Sequence, residues 1–133
     1  MKFDKNFFIS QKFSSAELDK YEKSVKRDLN IAGSSKDSEV TFHFAFMALI
    51  KIGIYCLAQA GYRVKSRPGH HQKIIESLSQ SLGSEDILII GDKMRKDRNL
   101  DFYGADALCS AEEAREYLEF VHGIFKRMQS LQK

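Results

Sequence analysis

Arg98 and Asn99 lie in the run Asp92-Lys93-Met94-Arg95-Lys96-Asp97-Arg98-Asn99-Leu100-Asp101-Phe102-Tyr103-Gly104 and join a permanent guanidinium charge to a carboxamide with both donors and an acceptor. Such a pair suits the recognition of phosphate or carboxylate oxygens. Ile87, Gly91, Met94 and Arg98 recur at four, three and four residues, so the guanidinium continues the inward stripe of a helix. Taking that charge out of water costs several kcal/mol, roughly, unless a carboxylate, a phosphate or a set of carbonyls compensates it. The position therefore holds either a structural ion pair, with Asp101, Asp106 or a carboxylate of an opposing subunit, or an anion site.

The neighbouring charges bear on the same choice. Lys93, Arg95, Lys96 and Arg98 crowd the end of that helix, while Arg63, Lys65, Arg67 and Lys73 flank a Pro68-Gly69 break ahead of another. If the two regions meet, they form one basic surface; if they do not, Glu85, Asp92 and Asp97 share the charges locally. Tyr103 falls five residues beyond Arg98, about 140° round an unbroken helix, so the two converge only if the helix breaks. Residues 100–104 are accordingly predicted to be irregular and site-forming. His70 and His71 stand at a helix start and read as loop and cap residues, although either could carry protons beside a cleft. His43 reads as a core or interface residue and His122 as half-buried. With these histidines and no acidic cluster at ligand spacing, neither a metal site nor a cofactor is expected.

These residues need a scaffold, and 133 residues at 43% hydrophobic and 29% charged suit a single domain with one core. The net charge of +3 permits an acidic partner without indicating nucleic acid by itself. Cys56 and Cys109 lack disulfide or zinc spacing and read as reduced thiols of a cytoplasmic protein. No secretion signal is read in the first residues. The apolar run from Phe44 to Ala60 is shorter than the ~20 residues a bilayer requires and contains Lys51, so it is expected to be a buried helix with no membrane role.

Proline occurs once, at Pro68, and no window alternates convincingly, so the chain is predicted to be all-α, a bundle of four to five helices. Ser14 and Glu17 form a capping box for a first helix ending near Gly33, and a loop over residues 33–38 precedes a second helix from about Glu39 to Ala60. Apolar side chains surround that second helix, which places it at the bundle centre or at a subunit interface and favours a homodimer. His70 opens a third helix and Gly83 ends it. Ser84 caps a fourth, and Ser110 with Glu113 starts the last. Residues 1–13 are an N-terminal arm, packed as an extension or a short helix through Phe3, Phe7, Phe8 and Phe13; residues 14–133 form the domain.

Taken in order, the apolar helix ending Ala60-Gly61-Tyr62, the Gly69-His70-His71 break, Arg95-x-x-Arg98-Asn99-x-x-x-Tyr103-Gly104 and Ser110-x-x-Glu113 resemble HEPN domains, named for higher-eukaryote and prokaryote nucleotide binding. The likeness covers about residues 14 to 130. It implies an up-and-down bundle, usually dimeric, in which paired fourth helices bring two Arg motifs to one cleft. In many members that cleft cuts RNA without metal, using an Arg, a polar residue and a His. Arg98 and Asn99 match the first two, whereas Tyr103 stands near the place of the His.

A phenol is a poor general base at neutral pH, so phosphate binding by Arg95, Lys96, Arg98 and Asn99 survives this departure better than catalysis by Arg98 and Tyr103. The resemblance thus implies a module that binds RNA or nucleotide phosphates, in some relatives one half of a toxin–antitoxin pair with a nucleotidyltransferase partner. The alternatives are a metal-independent ribonuclease using the Arg98 cleft and a dimerisation module without a ligand.

Overall fold

The computed structural model describes residues 4–103 and 109–131, with those at 99–103 described as backbone only. Five helices carry the fold: α1 (Ser15–Ser34), α2 (Ser38–Gln59), α3 (His70–Leu82), α4 (Glu85–Tyr103) and α5 (Ala111–Ser130). The protein is an all-α helical bundle, with one small sheet of two strands, β1 (Phe8–Ser10) and β2 (Tyr62–Val64). Local chemistry sets the helix boundaries. At Ser14 the Glu17 N–H donates to Ser14 Oγ at 3.2 Å while Glu17 Oε1 accepts from the Ser14 N–H at 3.1 Å, and Ser110 with Glu113 repeats the box on α5. Asp37 caps α2 through the Glu39 N–H at 2.9 Å. Gly83 stops α3 in the left-handed conformation, at φ 61°.

The uniform apolarity of α2 is explained by its position at the centre of the bundle. It packs against α1, α3, α4, α5 and β2, and Phe46, Leu49 and Ile52 on it are fully buried. By length and composition alone this helix could cross a membrane, yet its charge has a partner inside the bundle. Lys51 Nζ lies 2.7 Å from the carboxylate of Asp28 on α1, which is only 1% exposed, and donates to Ser24 Oγ at 2.8 Å. The Lys51 approach to Asp28 Oδ2 is close but poorly directed for a hydrogen bond, so charge holds the pair.

Two glycines set how closely α3 can approach its neighbours. A Cβ on Gly53 of α2 would collide with the Ile74 side chain, and one on Gly91 of α4 would lie 2.8 Å from Ile75 Cγ2. With bare backbone at both points, α3 seats between α2 and α4, and its first turn lies beside the far end of α4. At the other edge, Lys93 and Asp97 of α4 engage Tyr117 of α5. The phenol donates to Asp97 Oδ2 at 2.9 Å, and the Lys93 ammonium, 3.2 Å from that carboxylate, also donates to the phenol oxygen.

Several expectations need correcting. Strands were not expected, and the segment read as an arm or short helix pairs antiparallel with β2, Phe8 opposite Val64 and Ser10 opposite Tyr62. Three-residue strands are too short to show alternation in sequence, and their partners lie more than fifty positions apart. Residues 100–103, expected to be irregular, continue α4 instead, because Asn-Leu-Asp-Phe-Tyr holds neither glycine nor proline to stop it. Gly104 lies outside the described residues. His122, read as half-buried, is exposed, and the exposure of His43 removes its core reading, each lying on the outer side of its helix.

Two stability measurements test this arrangement. Lys51→Met strands the buried Asp28 carboxylate and is expected to cost about 3–5 kcal/mol in urea unfolding, most of it recovered when Asp28→Leu is added. Gly91→Ala is expected to cost about 1–3 kcal/mol by forcing α3 and α4 apart; an unchanged midpoint would contradict the close approach at Ile75.

Candidate functional site

The break before α3 is built by Gly69, whose φ of 85° is disfavoured for residues with a side chain. As the N-cap it contributes no side-chain bond, and the first turn of α3 carries no acid, so the partial positive charge of the helix start is uncompensated from within. The His70 N–H donates to the Arg67 carbonyl at 3.1 Å, and Nδ1–H of the same histidine donates to that oxygen at 2.7 Å. These bonds fold residues 66–69 into a tight rim.

Opposite this rim stands the end of α4. Between them opens a cavity of about 350 Å³, walled by residues 66–72 on one side and by Arg95 and Arg98 on the other. The two basic regions of the sequence therefore do meet. Arg98 is half-buried, its guanidinium carbon 5.4 Å from the centre of the Phe46 ring, which is itself fully buried. The Phe46 ring meets His71 edge-on at 5.7 Å, and His71 lies 4.3 Å from His70. Arg98 thus emerges from the interior on an aromatic face. Among the described residues no carboxylate pairs with it, and Asp101 and Asp106 lie outside the described side chains.

The remaining sequence candidates divide. Arg95 lines the cavity but is bound to Asp92, with Nη2 to Oδ1 at 2.8 Å. Lys96 points to solvent, 66% exposed and 3.2 Å from the same carboxylate, and does not line the cavity. The side chains of Asn99 and Tyr103 fall outside the described residues; along the continuous backbone of α4, Tyr103 sits about 140° round from Arg98. Sequence reasoning gave no role to Phe46, and it placed Arg67 near the break without assigning it to the site. A stripe of charge preceding a Pro-Gly break was the only signal for Arg67. For Phe46, packed in an apolar helix, no signal existed. Among the described residues no group of three His, Cys, Asp or Glu could hold a metal ion.

The electrostatics of the cavity register on His71. Burial first, then the charges of His70, Arg98 and Arg95, lower its pKa to about 4, against an ordinary value of 6.5. His71 is therefore neutral at pH 7. Because its folded pKa is the depressed one, the stability it confers is fully present above about pH 6.5 and is lost as the pH falls through that value toward 4.

Histidine NMR titration tests this field directly. His71 should titrate near 4, and Arg98→Gln should move it upward while leaving it below 6.5, since burial is the larger cause. An unmoved His71 in that variant would show that the guanidinium does not face it. Comparison of the chain with family models, with curated proteins and with solved structures gave no match.

Proposed function

We propose that this chain is an HEPN-type module that binds the phosphates of RNA or of nucleotides in the cavity between α3 and α4. The observation that carries this reading is Arg98, a half-buried guanidinium held on the Phe46 ring, facing an open cavity with no carboxylate among the described residues to neutralise it. The uncapped start of α3 lies across the same space, and helix starts favour anions. Phosphate oxygens match the planar fork of arginine. The ordered motifs of the sequence, from the Gly69-His70-His71 break to Arg98-Asn99, agree with that family assignment.

In this reading the protein is a homodimer. Leu88 and Ile89, 38% and 64% exposed on the outer face of α4, supply apolar surface for a second copy. Some family members work with a nucleotidyltransferase, and such a partner fits a binding module as part of a two-component system.

A ribonuclease is the second reading, favoured by the neutral imidazole of His71 in the cavity wall that also holds Arg98. It meets a physical obstacle. A base with a pKa of about 4 accepts protons poorly at pH 7, so cleavage through His71 would require the bound phosphate to raise that value.

The test is RNA affinity as a function of salt. Wild type should bind with a log–log slope of roughly −0.7 for each phosphate neutralised, and Arg98→Ala should reduce both the affinity and the slope. Affinity unaltered by that substitution would sink the reading. Incubation of the same RNA with protein in EDTA separates the enzyme: cleavage lost in Arg98→Ala supports it, and intact RNA at high protein concentration rejects it.

A further inference from the structure

The cations of the first turn of α3, of the rim before it and of the last turns of α4 differ in what holds them. Lys73, Lys93, Arg95 and Lys96 each have a carboxylate, from Glu76, Asp97, Asp92 and Asp92 respectively. Lys73 also lies over the Phe7 ring and Lys93 over the Tyr117 ring, each at 5.0 Å, whereas Arg67 and Arg98 sit on rings with no carboxylate partner among the described residues, Arg98 on Phe46 and Arg67 on Phe7, with Arg67 Cζ 5.0 Å from the ring centre. The distinction has a chemical consequence. A carboxylate fixes a guanidinium by cancelling its charge, whereas a ring fixes it through a quadrupole and leaves the charge intact. The two ring-held guanidiniums both line the cavity, one on each wall.

Phe7 itself is fixed by the small sheet. The Lys65 N–H donates to the Phe7 carbonyl at 2.6 Å, Arg67 Nη1 donates to the Asn6 carbonyl at 2.7 Å, and Lys65 Nζ donates to the Lys5 carbonyl at 3.0 Å. The ring lies 4.0 Å from where a Cβ on Gly69 would stand, beneath the rim of the cavity. Residues 5–7 are therefore the support on which Arg67 rests.

We infer that Arg67 is a second anion-binding residue of this cavity, kept in position by Phe7, and that with Arg98 it selects a doubly charged terminal phosphomonoester over the singly charged diester of a chain interior. The inference rests on the function proposed above and narrows its ligand. Two guanidiniums facing one space, neither with a carboxylate partner among the described residues and with the positive end of α3 beside them, exceed the single charge that a diester brings. A phosphomonoester carries close to two negative charges at neutral pH and offers three oxygens, enough for a guanidinium fork from each wall.

The test uses a 3′-labelled oligoribonucleotide bearing either a 5′-phosphate or a 5′-hydroxyl, followed by fluorescence anisotropy. The phosphorylated form is expected to bind on the order of tenfold more tightly, as one added charge-assisted contact predicts. Arg67→Gln, on an exposed rim, should abolish the preference while leaving the melting temperature unchanged. Phe7→Leu should weaken the preference and Phe7→Tyr should keep it, a rescue that mere filling of space would not produce. Adenosine 5′-monophosphate should compete where adenosine does not, and competition by inorganic phosphate would show that the group is recognised apart from the nucleoside. Equal affinity for both ends, or a preference that survives Arg67→Gln, overturns the inference. If Arg98→Ala still weakens both forms in that event, the phosphate-binding function stands without it; if Arg98→Ala changes nothing, both fall.

Discussion

The close seating of α3 between α2 and α4 is the constraint from which the rest of this molecule follows. Gly53 and Gly91 provide it, one on each neighbouring helix, by presenting backbone to Ile74 and Ile75 where any side chain would intrude. Protein interiors tolerate little overfilling, so a methyl group at either point would push α3 outward and widen the gap beyond its first turn. That first turn carries His70 and His71, and the gap is the cavity. Core geometry and site geometry are thus one arrangement seen from two ends.

Within that arrangement the protein places its positive charge in two ways. Along α4, Lys93, Arg95 and Lys96 are matched by acids three or four residues away on their own helix, pairs of modest energetic weight. In the interior, Lys51 is matched across helices by Asp28, where loss of either partner is costly. Arg98 follows neither pattern. Its stem continues a core stripe and its head rests on a buried ring, so packing against Phe46 holds it where no carboxylate among the described residues pairs with it.

Most of the fold was legible in the sequence, because its signals are local. Capping boxes at Ser14 and Ser110, glycine stops at Gly61 and Gly83, and the 3.6-residue stripes fix five helices without reference to their neighbours. The inward direction of Arg98 was readable for the same reason. What could not be read was non-local. Whether the basic stretch before α3 meets the end of α4 depends on the depth to which two glycines admit α3, and nothing in either stretch encodes that. Phe7 and Phe46 were invisible as site-builders because an aromatic that orients a cation looks, in sequence, like any other apolar residue. The exposed His122, and His43 as far as its core reading went, show the converse error. Apolar neighbours in sequence suggested burial, whereas the helical turn put each on the outside.

The pairing of Phe8 with Val64 encloses α1 and α2 in a single loop of chain, closed by three residues on either side. Strands this short form only after the helices between them have docked, since until then little offsets the entropy of joining such distant segments. So small a sheet adds little hold of its own beside that of the helical core. One wall of the cavity, the rim that carries Arg67, therefore hangs on a latch that can lift while the bundle stays folded.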